Sequence, residues 1–155
     1  MSKYIHPITV EAAKEVASNL RPEDRREVEE GHGLDVMEQL VYAAHNLPCV
    51  YFTVPTGKTA GMAGVEPDGT IWMLTTPAIN EYPITFAREA KRYVDSRPEE
   101  YLYNIVDERN TVHLKLLKFL GFKFLRKISY GPNNITFIEF SKWQHLCYPQ
   151  QQVNS

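Results

Sequence analysis

Along the first third of the chain, apolar residues recur at helical spacing. Val10, Ala13, Val16, Ala17 and Leu20 fall on one face, and Thr9 stands where an N-cap belongs, which predicts a helix over 10–20. Pro22 suits the first turn of a second, highly charged helix over Glu23–Glu30, ended by Gly31-His32-Gly33. Asp35 and Glu38 form a capping box for a third helix through Val36, Leu40, Val41 and Ala44, ending near Asn46-Leu47-Pro48.

The period then shortens to that of strands. Cys49–Val54, Thr59–Glu66 and Thr70–Thr76 are β-rich runs separated by Pro55-Thr56-Gly57-Lys58 and Pro67-Asp68-Gly69, which predicts an antiparallel meander. Thr70–Thr76 is apolar on both faces and is expected at the centre of its sheet. Beyond Pro77 a helix follows through Phe86, Ala87, Ala90 and Val94, then a strand over Tyr101–Asp107. Strand, helix and strand in series imply a parallel pair with a right-handed crossover, so Thr70–Thr76 should run parallel to Tyr101–Asp107. Asn110 is read as the cap of a helix over Thr111–Leu120, stopped by Gly121, and Phe122–Ser129 and Ile135–Phe140 as a closing hairpin.

The expected fold class is α/β, a mixed α+β sheet in which an antiparallel meander leads into a parallel crossover. Residues 1–143 form one domain, and 144–155, rich in Gln, Pro and Asn towards the end, form a flexible tail. Ile71, Met73, Leu74, Ile105, Leu116, Leu120, Phe122 and Phe137 are the expected core. In open sheets a ligand sits beyond the carboxyl ends of parallel strands, here between Thr70–Thr76 and Tyr101–Asp107.

Composition narrows the function. With 17 Lys and Arg against 19 Asp and Glu, no excess of positive charge exists for non-specific nucleic-acid binding or an anionic membrane. No apolar run is long enough for a membrane anchor, and Met1–Pro7 has no basic region followed by an apolar stretch, so no secretion signal is expected. Cys49 and Cys147 make no disulfide framework, and Cys49 reads as a small buried hydrophobe. The five histidines show no zinc spacing, so no metal is expected.

Asn110-Thr111-Val112-His113-Leu114-Lys115-Leu116-Leu117-Lys118-Phe119-Leu120-Gly121-Phe122, an Asn opening an amphipathic helix that closes on Gly-Phe, resembles the second motif of the GNAT (acyl-CoA N-acyltransferase) superfamily. The blocks Leu20–Glu27, Ala63-Gly64-Val65, Ile71–Thr76 and Tyr103-Asn104-Ile105-Val106 extend the resemblance to GNAT-like proteins of tailed phages, especially short-tailed ones. Members of that group are regarded as internal virion proteins or as acetyltransferases. The resemblance implies a GNAT fold, and two residues that would meet acetyl-CoA if it binds, Asn110 and Thr76.

The chain departs from the enzyme pattern that this resemblance brings. GNAT enzymes carry a glycine-rich loop after the third strand of the meander, whose backbone N–H groups hold the diphosphate of coenzyme A. Here that place reads Thr76-Pro77-Ala78-Ile79-Asn80-Glu81-Tyr82-Pro83, and no glycine occurs between Gly69 and Gly121. Pro83 removes a donor, Glu81 adds a negative charge, and Leu117 stands where many GNAT enzymes have the tyrosine that protonates the leaving thiolate. Tyr93, Tyr101 and Tyr103 are read as core or rim residues, His113 as structural or solvated, and Asp107-Glu108 as a solvated strand end.

Two functions are therefore expected. The favoured one is a phage virion-associated or assembly protein on a GNAT fold with a degenerate acetyl-CoA site. It would have no cofactor and no catalytic residue, would act through contacts with other phage structural or assembly proteins, and would reside in the virion or the infected cell's cytoplasm. The alternative is an acetyl-CoA-dependent N-acetyltransferase modifying a host or phage protein. The apolar helix over 111–120 and the basic residues Lys115, Lys118, Lys123, Arg126 and Lys127 beside it are the expected partner face.

Overall fold

The computed structural model describes residues 2–144. Its elements are β1 (Ile5–Pro7), α1 (Val10–Ser18), α2 (Pro22–Arg26) running into a π-helical turn (Glu27–Gly31), α3 (Val36–Asn46), β2 (Cys49–Thr53), β3 (Thr59–Val65) and β4 (Ile71–Thr75). A 3-10 helix (Pro77–Asn80), α4 (Pro83–Asp95), β5 (Tyr101–Asp107), α5 (Thr111–Phe119), β6 (Lys123–Tyr130) and β7 (Ile135–Trp143) complete it. The cap residues at the first and third helices act as expected. The Thr9 hydroxyl accepts from Ala12 N at 3.1 Å, and the Asp35 carboxylate accepts from Glu38 N at 2.9 Å.

The strands form two sheets. One is antiparallel in the order β1-β2-β3-β4 and the other antiparallel in the order β5-β7-β6. Strand β1 has no counterpart in the expectation, because three residues ending in proline are too few to show a period of two. In β3 the small residues Ala60, Gly61, Ala63 and Gly64 are buried. At Gly64 an added Cβ would lie 2.7 Å from the Pro48 carbonyl, so no side chain fits.

The sheets meet at one point. Thr70 and Tyr103 form a single parallel bridge, reinforced by Tyr103 N donating to Gly69 O at 3.1 Å and Asn104 Nδ2 donating to Ile71 O at 2.7 Å. Beyond it β4 and β5 diverge. The parallel pair therefore exists as a hinge between two sheets. The expected central place of β4 is corrected accordingly: it closes the first sheet as its last strand, with Trp72, Met73 and Leu74 only half-buried.

One apolar cluster packs Phe52, Phe86, Val94, Leu102, Leu120, Phe122 and Phe140 between the strands and α4 and α5. Phe52 lies edge-on to Phe86 and Tyr93, with ring centroids 5.5 and 6.0 Å away. The other cluster holds Ala13, Val16, Val36, Leu40 and Met62 under α1 and α3. Of the expected core, Ile71, Leu120, Phe122 and Phe137 are buried. Met73, Leu74, Ile105 and Leu116 are half-buried, and all four border the space where the strands part. Cys49, expected to be buried, is half-buried, and Cys147 lies outside the described residues. Gln144, the first residue assigned to the tail, is buried and donates from Nε2 to Val94 O at 2.8 Å; the rest of the tail lies outside the described residues.

Candidate functional site

Divergence of β4 from β5 leaves a cavity of about 520 Å³. Leu40 and Ala43 of α3, with Leu47 just past its end, wall it on one side, and Leu116 and Leu117 of α5 on the other. Trp72, Met73, Leu74 and Ile105 come from the strands themselves. Among the described residues, the formally charged ones on the lining are Glu27 and Glu66, joined by His32 and His113.

At the Thr75 end the cleft is shut by a polar network. Asp24 is 1% exposed and accepts from Thr75 N at 2.8 Å, Thr75 Oγ1 at 2.6 Å and Asn110 Nδ2 at 2.8 Å. The Arg21 guanidinium, 3% exposed, donates to Asp24 and Thr75 Oγ1 at 3.3 Å and to Asn110 Oδ1 at 3.4 Å. Arg21 also donates its backbone N–H to the Thr75 carbonyl at 3.0 Å. Both backbone groups of Thr75 that face away from β3 are thus taken by the start of α2, which lies against this end of β4 as a further strand would. His113 Nε2 sits 3.4 Å from both Asp24 Oδ1 and Thr75 Oγ1. Burial pushes the His113 pKa down, so the ring is neutral there. Of the two readings of His113, the structural one describes its place.

The same helical segment reaches β5. Glu27, the first residue of the π-helical turn, accepts from Asp107 N at 3.0 Å. Burial raises the Glu27 pKa to about 8, helped by the neighbouring Asp24 and Asp107 charges, so it holds a proton at neutral pH. Asp107 was read as a solvated strand end. It is instead fully buried, because Arg109 folds back to donate to it at 2.7 Å. Burial opposes the Asp107 charge, but the hydrogen bonds and charge of Arg109 hold its pKa below the ordinary value. Asp107 is spoken for as a proton acceptor.

No family model and no curated protein sequence matches this chain. Solved structures do. A GNAT-family acetyltransferase from Bacillus anthracis superposes with TM-score 0.67 at 9% identity, covering 90% of this chain and 93% of that one. The aminoglycoside acetyltransferase AAC(6')-Ib in complex with coenzyme A gives 0.63 at 14% identity over 98% and 99%. Spermidine N-acetyltransferase from Vibrio cholerae, in complex with CoA and spermine, gives 0.62 at 11% identity over 90% and 94%. The chain has the GNAT fold.

The GNAT fold implies coenzyme A, and the loop after β4 decides whether this chain fits it. Thr76–Tyr82 is not an open loop of outward N–H groups. Ala78 N donates to Thr76 Oγ1, Ile79 N to Thr76 O and Glu81 N to Ala78 O, so three of the donors here are spent within the turn itself, and α4 opens behind it without a side-chain cap. Glu81 stands at the following position, paired with Lys58 at 3.3 Å, and Pro83 deletes the first N–H of α4. With a 3-10 turn in place of a glycine loop, a carboxylate at its end and a proline at the first position of α4, the residues present do not fit a diphosphate.

The two candidate contacts of acetyl-CoA are both engaged internally. Thr76 is 3% exposed, donating to Thr59 O at 2.8 Å. Asn110, expected to cap α5 with its side chain, makes no such bond and spends its amide on Asp24 and Arg21. Leu117 lines the cavity, while Tyr93, Tyr101 and Tyr103 do not; Tyr103 donates to Asp68 at 3.0 Å. Arg21, Asp24 and Glu27 were missed as site residues. The charged run Arg21-Pro22-Glu23-Asp24-Arg25-Arg26-Glu27 looks like a solvated helix; its one signal is its place in the Leu20–Glu27 block of the resemblance, which assigns it no role at the site.

Proposed function

We propose that this chain is a GNAT-fold protein that works by binding rather than by acetyl transfer, as a component of a phage particle or of its assembly. The observation that carries the reading is the engagement of Thr75: Asp24 and Arg21 of the same chain hold the β4 groups that face the cleft. The spent donors of the 3-10 helix after β4 support it. The phage setting rests on the sequence resemblance. Isothermal calorimetry with acetyl-CoA tests the binding half, with no heat expected at micromolar ligand. Micromolar affinity would overturn it. Mass spectrometry of purified particles tests the setting, which falls if the chain is absent from particles and from their assembly intermediates.

A second reading, an acetyl-CoA-dependent N-acetyltransferase, is favoured by the solved neighbours. Those named above are acetyltransferases, two of them with coenzyme A bound, and none of them speaks for a particle component. Under that reading Glu27, protonated at neutral pH and facing the cavity, would be the proton-transfer group. Acetylation of an amine panel that is abolished by Glu27→Ala would establish it.

A further inference from the structure

With its Thr75 end closed, the cleft keeps a chamber that the binding reading leaves without an occupant. The chamber is continuous from α3 to α5, passing through the gap between β4 and β5. Leu40 and Trp72 belong with the α1 and α3 cluster, whereas Leu116 and Leu117 belong with the α4 and α5 cluster. An occupant that touches both is therefore elongated and threads the sheet. Its volume of about 520 Å³ falls within the usual range for small-molecule sites, roughly 300–1,000 Å³.

The lining also sets the charge of the occupant. No lysine or arginine is on it, so an anionic head has no partner. Glu27 is fixed by Asp107 N on one oxygen, and among the described residues no hydrogen bond takes a proton from its carboxyl. That O–H is available to a ligand oxygen. An ammonium head beside Glu27 would require that carboxyl to ionise next to Asp24 and Asp107, the arrangement the buried site already resists; Glu66, the other carboxylate on the lining, lies at the Thr70 end, and the amine arm of the test reads it.

We propose that the gap between β4 and β5 is a binding site for an elongated, uncharged apolar molecule bearing one hydroxyl or carbonyl, with Glu27 as its hydrogen-bond donor. The inference rests on the preceding reading in one respect: no cofactor shares the cleft.

Two tryptophans, Trp72 on the lining and Trp143 far more exposed, make the test optical. The full chain carrying Trp143→Phe is titrated with ω-bromodecanol, whose bromine quenches a tryptophan in contact with it. Saturable quenching of Trp72, competed by decanol, is expected. Leu74→Phe and Leu117→Phe, which narrow the chamber from its two walls, should each weaken it about tenfold or more. Glu27→Leu, which removes the donor, should weaken it about fivefold to tenfold, the fold-change matching a net hydrogen bond of roughly 1–1.4 kcal/mol. Decanoate and decylamine should compete at least tenfold less well than decanol.

Absence of Trp72 quenching overturns the proposal without recourse to any variant. Quenching that persists unchanged in both phenylalanine variants moves the ligand elsewhere and overturns it too. Tighter competition by decylamine makes the site an amine site and also overturns it. Acetyl-CoA in the same cuvette reads the preceding proposal separately. Its binding without displacement of bromodecanol would sink that reading and leave this one standing, and its displacement of bromodecanol would sink both.

Discussion

The two ends of β4 face the same cleft and solve it in opposite ways. Along Trp72–Leu74 the side chains that line the cleft are apolar and half-buried, and the space is left open. At Thr75 every group is polar, nothing is open, and the threonine is fully buried. Apolar walls can border an unfilled chamber at the modest cost of lost dispersion contacts. A buried backbone N–H and carbonyl cannot be left bare, because each unmet group costs roughly 1–3 kcal/mol. The polar end had to be closed by something, and α2 closes it.

The largest effect is expected at the closed end. Asp24→Ala strands the Arg21 guanidinium and the Thr75 N–H together and should cost about 3–5 kcal/mol in denaturant unfolding. Glu23, 3.3 Å from Arg21 but largely solvated, recovers little of that. A loss below about 1 kcal/mol would show that the two ends do not differ. Next, Leu120→Ala should cost on the order of 2–5 kcal/mol, because Leu120 is 3% exposed although it touches the chamber.

A subtler difference is carried by protons. The ordinary Glu27 pKa of 4.5 becomes about 8 in the fold, so between those values the native state keeps a proton that the unfolded chain releases. Stability then falls as pH rises through that window. His113 and His32 have lowered pKa values and slope the other way, gaining stability as pH rises towards their ordinary 6.5. Above about 6.5 only Glu27 among these remains, so melting temperature should decline between pH 6.5 and 8, and Glu27→Gln should flatten the decline. A decline that survives the substitution assigns it to another group. The smallest effect belongs to the open end: Leu116→Ala should cost only about 1 kcal/mol, since a half-exposed side chain gives back part of its transfer free energy on truncation.

Much of the fold was legible because it is local. Turn residues marked the meander, capping residues marked α1 and α3, and apolar periodicity placed α4 and α5. Periodicity says which face of a strand is apolar but not whether a partner covers it. Met73, Leu74, Ile105 and Leu116 therefore read as core and proved to be chamber wall. The missing glycine loop was legible as a lack of residues. Its replacement was not: Asp24 meets Thr75 across 51 positions and Asn110 across 86, and no local pattern records such a pairing.

The strand order of the second sheet has a consequence for how the chain comes into being. Strand β7 lies between β5 and β6, so every backbone bond of that sheet includes residues 135–143. During synthesis β5 and β6 emerge before the strand that joins them, and β5 has only the bridge at Thr70 to meet, while the first sheet, its four strands complete by Thr75, can already form. The hinge at Thr70 and Tyr103 is then an assembly joint: the amino-terminal sheet waits, folded, and the remainder closes onto it only once Trp143 has left the ribosome. Ribosome-arrested chains ending before residue 135 should accordingly protect the first sheet from proteolysis and leave β5 and β6 open to it.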